Sequence, residues 1–148
     1  MFSRILVPVD VHEPEVAREA LRSAAAIAEA FHSALRLVYI ASPILPGAPA
    51  PVIPQSTYDE IGAYEKSRLD EMATRIKAPA GVTTTVRVGG VYPELLAEAG
   101  EWAADLIVVG AHRRSMATFL LGSTAAALSR HAKCTVMIVR SPLKAKLI

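Results

Sequence analysis

Two short stretches of this sequence carry residue types able to do chemistry, and they lie far apart in the chain. The first is Pro8-Val9-Asp10, which closes the apolar run Ile5-Leu6-Val7. The second starts at Gly110, passes through His112, Arg113 and Arg114, and ends at Gly122-Ser123-Thr124. This second stretch suits a phosphate. Gly110 has no Cβ, so a ligand can approach the backbone closely. His112, Arg113 and Arg114 gather positive charge in one short segment. Gly122-Ser123-Thr124 opens a helix, whose free amides and dipole favour an anion, and the two hydroxyls add donors. Each part also has an ordinary reading. A glycine after a strand is often a turn, a serine at a helix start a cap, adjacent arginines a solvated face. Asp10 can cap the helix that follows it. No Walker-type phosphate loop is present.

The elements around these stretches decide whether they meet. Ile5 to Val9 reads as a buried parallel strand, with Pro8 near its end because it lacks an N–H. Pro14 suits a first helical turn, and Val16, Ala20, Ala24, Ile27, Ala28 and Phe31 recur at helical spacing up to His32 and Ser33. Leu35 to Ala41 is a second strand. Pro43, Pro46, Pro49, Pro51 and Pro54 make Ser42 to Gln55 a loop. Ser56 or Thr57 can cap a second helix, with Ile61, Tyr64, Leu69, Met72 and Ile76 as its apolar stripe and Pro79 and Gly81 as its end. A third strand spans Thr83 to Val88, and Pro93 opens a third helix carrying Leu95, Leu96 and Ala99, with Trp102 near its end packing on the sheet. Leu106 to Val109, wholly apolar, is a fourth strand buried on both faces. The loop from Gly110 to Gly122 leads to a fourth helix from Ser123 to His131 and a fifth strand from Cys134 to Val139.

This alternation predicts an α/β domain with a parallel sheet covered by helices on both faces. With the first and fourth strands central, Asp10 and the Gly110 loop become neighbours at the carboxyl ends of the strands, where open parallel sheets bind ligands. The chain has 148 residues, which fits one domain covering residues 1–148. A net charge of +2 argues for neither a nucleic-acid binder nor a polybasic membrane binder. The single cysteine, Cys134, permits no intrachain disulfide and no thiolate zinc cluster. It reads as a small core residue. No secretory signal and no membrane-length apolar run is visible, so the expected location is cytoplasmic.

The sequence resembles the universal stress protein family along nearly its whole length. Ile5-Leu6-Val7-Pro8-Val9-Asp10 is similar to that family's first strand and its adenine-contacting Asp. Leu106 to Arg140, LIVVGAHRRSMATFLLGSTAAALSRHAKCTVMIVR, is similar to its nucleotide loop, last helix and last strand. The segments AHR, LLGS and RHAKC resemble the F/G-type bacterial subgroup. The resemblance implies a five-stranded Rossmann-like sheet of order 3-2-1-4-5 and an ATP site. Asp10 would meet the adenine or ribose, flanked by Pro8 and Val9, and Ile40 would offer backbone to the adenine edge. Gly110 and His112 would line the ribose and α-phosphate. Gly122, Ser123 and Thr124 would hold the β- and γ-phosphates, with Mg²⁺ or Mn²⁺ bridging them. The family's ATP pattern is G-x2-G-x9-G-(S/T). Here Arg113 stands at the second glycine, and eight residues, not nine, separate it from Gly122. An arginine there can crowd the phosphates or neutralise them. The subgroup's own His-Arg at this point favours neutralisation.

Three functions remain open on the sequence. The first is an ATP-binding stress or signalling module. The second is a slow ATPase or self-phosphorylating protein, with Ser123 or Thr124 as acceptor; no second carboxylate accompanies Asp10 to position such chemistry. The third is a nucleotide-free interaction protein. The last strand, Thr135 to Val139, should lie bare at a sheet edge, and pairing with its twin across a two-fold axis would cover it. A homodimer built this way is also what the resemblance implies.

Overall fold

In the computed structural model, which describes residues 1–42, 54–111 and 121–140, the chain alternates strand and helix throughout. The strands are β1 (Arg4–Pro8), β2 (Ala34–Ala41), β3 (Val82–Val88), β4 (Leu106–Gly110) and β5 (Thr135–Val139). The helices are α1 (Pro14–Phe31), α2 (Gln55–Thr74), α3 (Val91–Glu101) and α4 (Ser123–His131). The strands form one parallel sheet in the order β3-β2-β1-β4-β5, as expected.

The sheet has a core on each face. On one, Ile5, Val7, Val9, Leu35, Leu37, Leu106 and Val108 pack under α1 and α2. On the other, Leu6, Val38, Ile40, Ile107 and Val109 pack under α3 and α4. Consecutive residues of β1 and β4 thus face opposite cores, which is why these strands are apolar without interruption. α1 lies close on the sheet because it turns alanines inward, Ala17, Ala20, Ala24 and Ala28, at three- and four-residue spacing. It stops at His32, which adopts the left-handed conformation and returns its amide to Ala28 O. Trp102 packs against the α3–α4 core, with the Arg36 guanidinium 4.5 Å from its ring centre. Cys134 is half-buried there, and burial pushes its thiol up, as befits an inert core residue.

α2 departs from expectation in two ways. Its N-cap position is Pro54, and no side chain caps it, so Ser56 and Thr57 lie inside the helix. Its inward residues are Leu69 and Glu65, while Ile61 and Tyr64 are exposed and Ile76 lies beyond its end. Glu65 occupies the i−4 position relative to Leu69, so the phase that buries Leu69 also carries the carboxylate inward.

A second buried carboxylate anchors α3. Glu98, 4% exposed, accepts from Arg36 Nη1 at 2.7 Å and from Arg87 Nη1 at 2.9 Å. Arg87 also donates to Glu94 and Glu101. One helix is thereby tied to β2 and β3 at once. Removing one partner of such a buried set costs about 3–5 kcal/mol, whereas exposed pairs such as Lys66–Asp70 contribute about 0.3–0.5 kcal/mol.

The two sheet edges differ. β3 reads VTTTVRV, with threonines and an arginine along it, whereas β5 reads TVMIV and leaves Met137 37% exposed. Among the described residues no helix is long and apolar enough to cross a membrane.

Replacing Glu98 by Ala should lower the urea-unfolding free energy by about 3 kcal/mol, because two guanidiniums lose their shared acceptor. Glu101 is exposed, and its hydrogen bonds from Arg87 hold its carboxyl below the usual range. That contribution is present at neutral pH and fades as pH falls through the lowered value. Glu101→Gln should therefore cost a small fraction of the Glu98→Ala loss at pH 7 and converge with the parent in acid.

Candidate functional site

The sheet opens where β1 and β4 part. Their ladder pairs Ile5 with Leu106 and Leu6 with Ile107 and ends there. On its other side β1 stays paired with β2 as far as Pro8 and Val38, and the Val9 amide still donates to Val38 O at 2.8 Å. Pro8 has no N–H to extend a ladder. The chain passes from β1 toward one edge of the sheet and from β4 toward the other, which makes the gap between their carboxyl ends the switch point of the sheet.

A cleft of about 260 Å³ lies at that point. It is lined by Pro8, Val9, Asp10, Ile40 and, from the start of α4, Thr124, five of the residues predicted from sequence. The remaining lining was not foreseen. Val38 and Tyr39 come from β2, and Val91 and Leu95 from the first turns of α3. These are apolar or aromatic residues on elements whose sequence signal was that of core, which hid their second surface. Gly110, Gly122 and Ser123 end the neighbouring elements without lining the cleft. His112 and Arg113 lie outside the described residues.

Gly110 has a packing reason of its own. A Cβ there would meet Val16 O at 3.1 Å, so its bareness lets the first turn of α1 rest on the end of β4. At α4 the N-cap residue is Gly122, which is extended and has no side chain to satisfy the first-turn amides. The positive pole of the helix dipole lies at this end, beside Thr124.

Asp10 is exposed and held by its own turn. Its Oδ1 accepts the His12 amide at 2.9 Å, an Asx turn, and its backbone oxygen accepts from Glu13 at 3.2 Å. Oδ2 takes no partner among the described residues. The turn is clamped from α2. His12 Nε2 lies 2.9 Å from Glu65 Oε1, and the imidazole ring packs edge-on against Tyr39 with centroids 5.8 Å apart. Glu65 is 5% exposed, and its Oε2 is buried without a partner among the described residues. Burial, then the charges of Glu65 and Asp10, push the Tyr39 phenol above its usual range. Neither His12 nor Glu65 was singled out from sequence. They are 53 positions apart, and no local pattern links them.

Among the described residues no three His, Cys, Asp or Glu converge to hold a metal. Among these residues Asp10 is the one carboxylate lining the cleft.

Residues 1–140 match the universal stress protein family. Universal stress protein G of Salmonella typhimurium is 30% identical over 148 residues, covering 95% of this chain and 100% of that protein. The solved universal stress protein UspA from Lactobacillus plantarum superposes with a TM-score of 0.75 at 27% identity, covering 94% of this chain and 98% of its own. A universal stress protein solved in complex with cAMP superposes with a TM-score of 0.68 at 26% identity, covering 93% and 97%.

The clamp gives a double-mutant cycle. His12→Ala strands a buried carboxylate and should cost about 2 kcal/mol in chemical denaturation. Glu65→Leu, which replaces the charge with an apolar side chain, should be close to neutral. In the Glu65→Leu background the loss of His12 should cost almost nothing. Equal costs in both backgrounds would mean the two side chains are not coupled.

Proposed function

We propose that this chain, which belongs to the universal stress protein family, is an adenine-nucleotide-binding module that takes ATP where β1 and β4 part. The observation that carries this reading is the cleft itself: Pro8, Val9, Asp10, Ile40 and Thr124 share one concavity at the switch point of the sheet. A volume of about 260 Å³ lies just below the range of about 300–1,000 Å³ usual for whole-ligand pockets. It suits the base and ribose of a nucleotide, with the phosphates reaching toward α4.

In this reading the adenine lies between the apolar ends of β1 and β2, against Val9 and Ile40. Asp10 Oδ2 accepts from the base or the ribose. Gly110 and His112 border the ribose and α-phosphate, and Arg113 neutralises phosphate charge. The amides of α4 with Gly122, Ser123 and Thr124 hold the β- and γ-phosphates. Mg²⁺ or Mn²⁺ travels on those phosphates. Binding is favoured over hydrolysis in this reading, because phosphoryl transfer depends on positioned bases and metal ligands, and among the described residues Asp10 is the one carboxylate lining the cleft. Nucleotide occupancy then acts as a signal, setting conformation or partner choice in a stress response.

We also propose that the chain pairs with its twin through β5, from Thr135 to Val139. The support is the apolar run of that edge strand and the exposure of Met137.

Purified protein should melt several degrees higher with ATP and Mg²⁺ at about a hundredfold excess over Kd, a stabilisation of about 2.7 kcal/mol. Asp10→Ala should weaken ATP by about tenfold or more, consistent with a lost hydrogen bond to a charged group. A melting temperature indifferent to millimolar ATP, together with no nucleotide extractable from fresh protein, would defeat the proposal and favour a nucleotide-free interaction protein.

For the pairing, Val136 and Ile138 are half-buried against the α3–α4 core, so charges there would disturb the fold as well as the edge. Met137→Lys is the cleaner probe. It should convert a dimer to a monomer on sizing, with the melting curve still cooperative. A dimer that survives it is not held by this edge.

A further inference from the structure

On the α1–α2 face of the sheet a groove of about 740 Å³ runs between the two helices. Its floor is apolar, with Val11, Leu21, Met72 and Ile76. Its walls are cationic on both sides. Arg18 and Arg22 stand one turn apart on α1, Arg68 and Arg75 two turns apart across α2 and its C-cap, and Lys77 follows just beyond. Glu15 and Glu71 are the lining carboxylates. Five cations against two carboxylates give this groove a larger positive charge than the chain's net +2.

The existing partners of these arginines are weak. Arg18, Arg22 and Arg75 pair within their own helices with Glu15, Glu19 and Glu71, and their side chains are 61%, 74% and 76% exposed. Such pairs contribute little and exchange readily for a better acceptor.

We propose that this groove docks an acidic amphipathic helix from a partner protein. It goes beyond the nucleotide reading and does not rest on it. The lining along α1 runs from Pro14 to Ala25, about 16 Å at the rise of an α-helix, which matches three turns of a guest helix. Apolar anchors at i, i+3, i+4 and i+7 would fill the floor, and carboxylates flanking that stripe would meet a cationic wall on each side. A ligand with a single anionic head would use the cations at one end and leave the rest unmet. A flat bilayer would reach the rims and not the recessed floor. A second copy facing this groove would set arginine against arginine. The lining contains no aromatic residue on which a nucleobase would stack.

The test uses the full chain and a labelled, lactam-stapled model peptide of about four turns, with leucines at i, i+3, i+4 and i+7 and glutamates on both flanks. Binding is read by fluorescence anisotropy. Saturable binding is expected, weaker by about tenfold or more when the glutamates become lysines or the residue order is scrambled. The Arg18→Glu/Arg22→Glu/Arg75→Glu variant should lose about tenfold or more in affinity, and so should Leu21→Gln/Ile76→Gln. Far-ultraviolet melting and sizing establish that each variant is folded. If a charge-reversed variant does not fold, Arg→Gln at the same three positions replaces it. No saturable binding would overturn the proposal, as would equal binding of the scrambled peptide. Loss with the charge variants but not with the floor variants would also overturn it, leaving only long-range attraction. Sedimentation with phosphatidylserine vesicles in place of peptide binding would assign the face to a membrane.

Discussion

The parting of β1 and β4 is the constraint on which the rest of the structure depends. Right-handed crossovers place α1 and α2 on one face of the sheet and α3 and α4 on the other. The chain must therefore change direction across the sheet once, and the strands that bound that change are β1 and β4. The β1–β4 ladder ends at Leu6 and Ile107, and the residues beyond those rungs supply Pro8, Val9 and Asp10 to the cleft. The central strands can part there because each remains paired on its outer side, β1 with β2 and β4 with β5.

Two helices grip this frame by the same device with different completeness. Glu98 on α3 and Glu65 on α2 are both carried to the sheet by the helical phase that buries a neighbouring leucine. Glu98 meets two guanidiniums and is matched. Glu65 meets one imidazole, through one oxygen, and its other oxygen has no partner among the described residues. The matched carboxylate ties α3 to the β3 side of the sheet. The half-matched one holds the turn that presents Asp10. A buried polar set that is only partly satisfied is the less stable kind, so the weaker fastening lies beside the cleft and the stronger one away from it.

The order of the elements was legible because each strand is a run with no helical period and each helix is bounded by glycine, proline or a polar turn. Leu106 to Val109 could be read as buried on both faces from its composition alone, and Asp10 could be placed at the switch point once the resemblance put the first and fourth strands at the centre. The limits came where one helix face mixes apolar and charged residues. Ile61 and Tyr64 looked inward because they are apolar, yet Glu65 and Leu69 set the phase of α2. The cleft walls from Tyr39, Val91 and Leu95 were hidden for a related reason. A side chain at the end of a core stripe has one surface in the core and another facing ligand, and its type records only the first. Gly110 shows the converse: a residue read for ligand approach also answers to the Val16 carbonyl behind it.

The unlike edges of the sheet have a further consequence. Backbone groups at a sheet edge invite another strand wherever the side chains permit. β3 surrounds its edge with threonines and Arg87, the latter engaged by three glutamates, while β5 offers Val136, Met137 and Ile138. Among the described residues the two ends of the sheet are therefore chemically unlike: an added strand would meet threonines and an engaged guanidinium along β3, and an apolar run along β5.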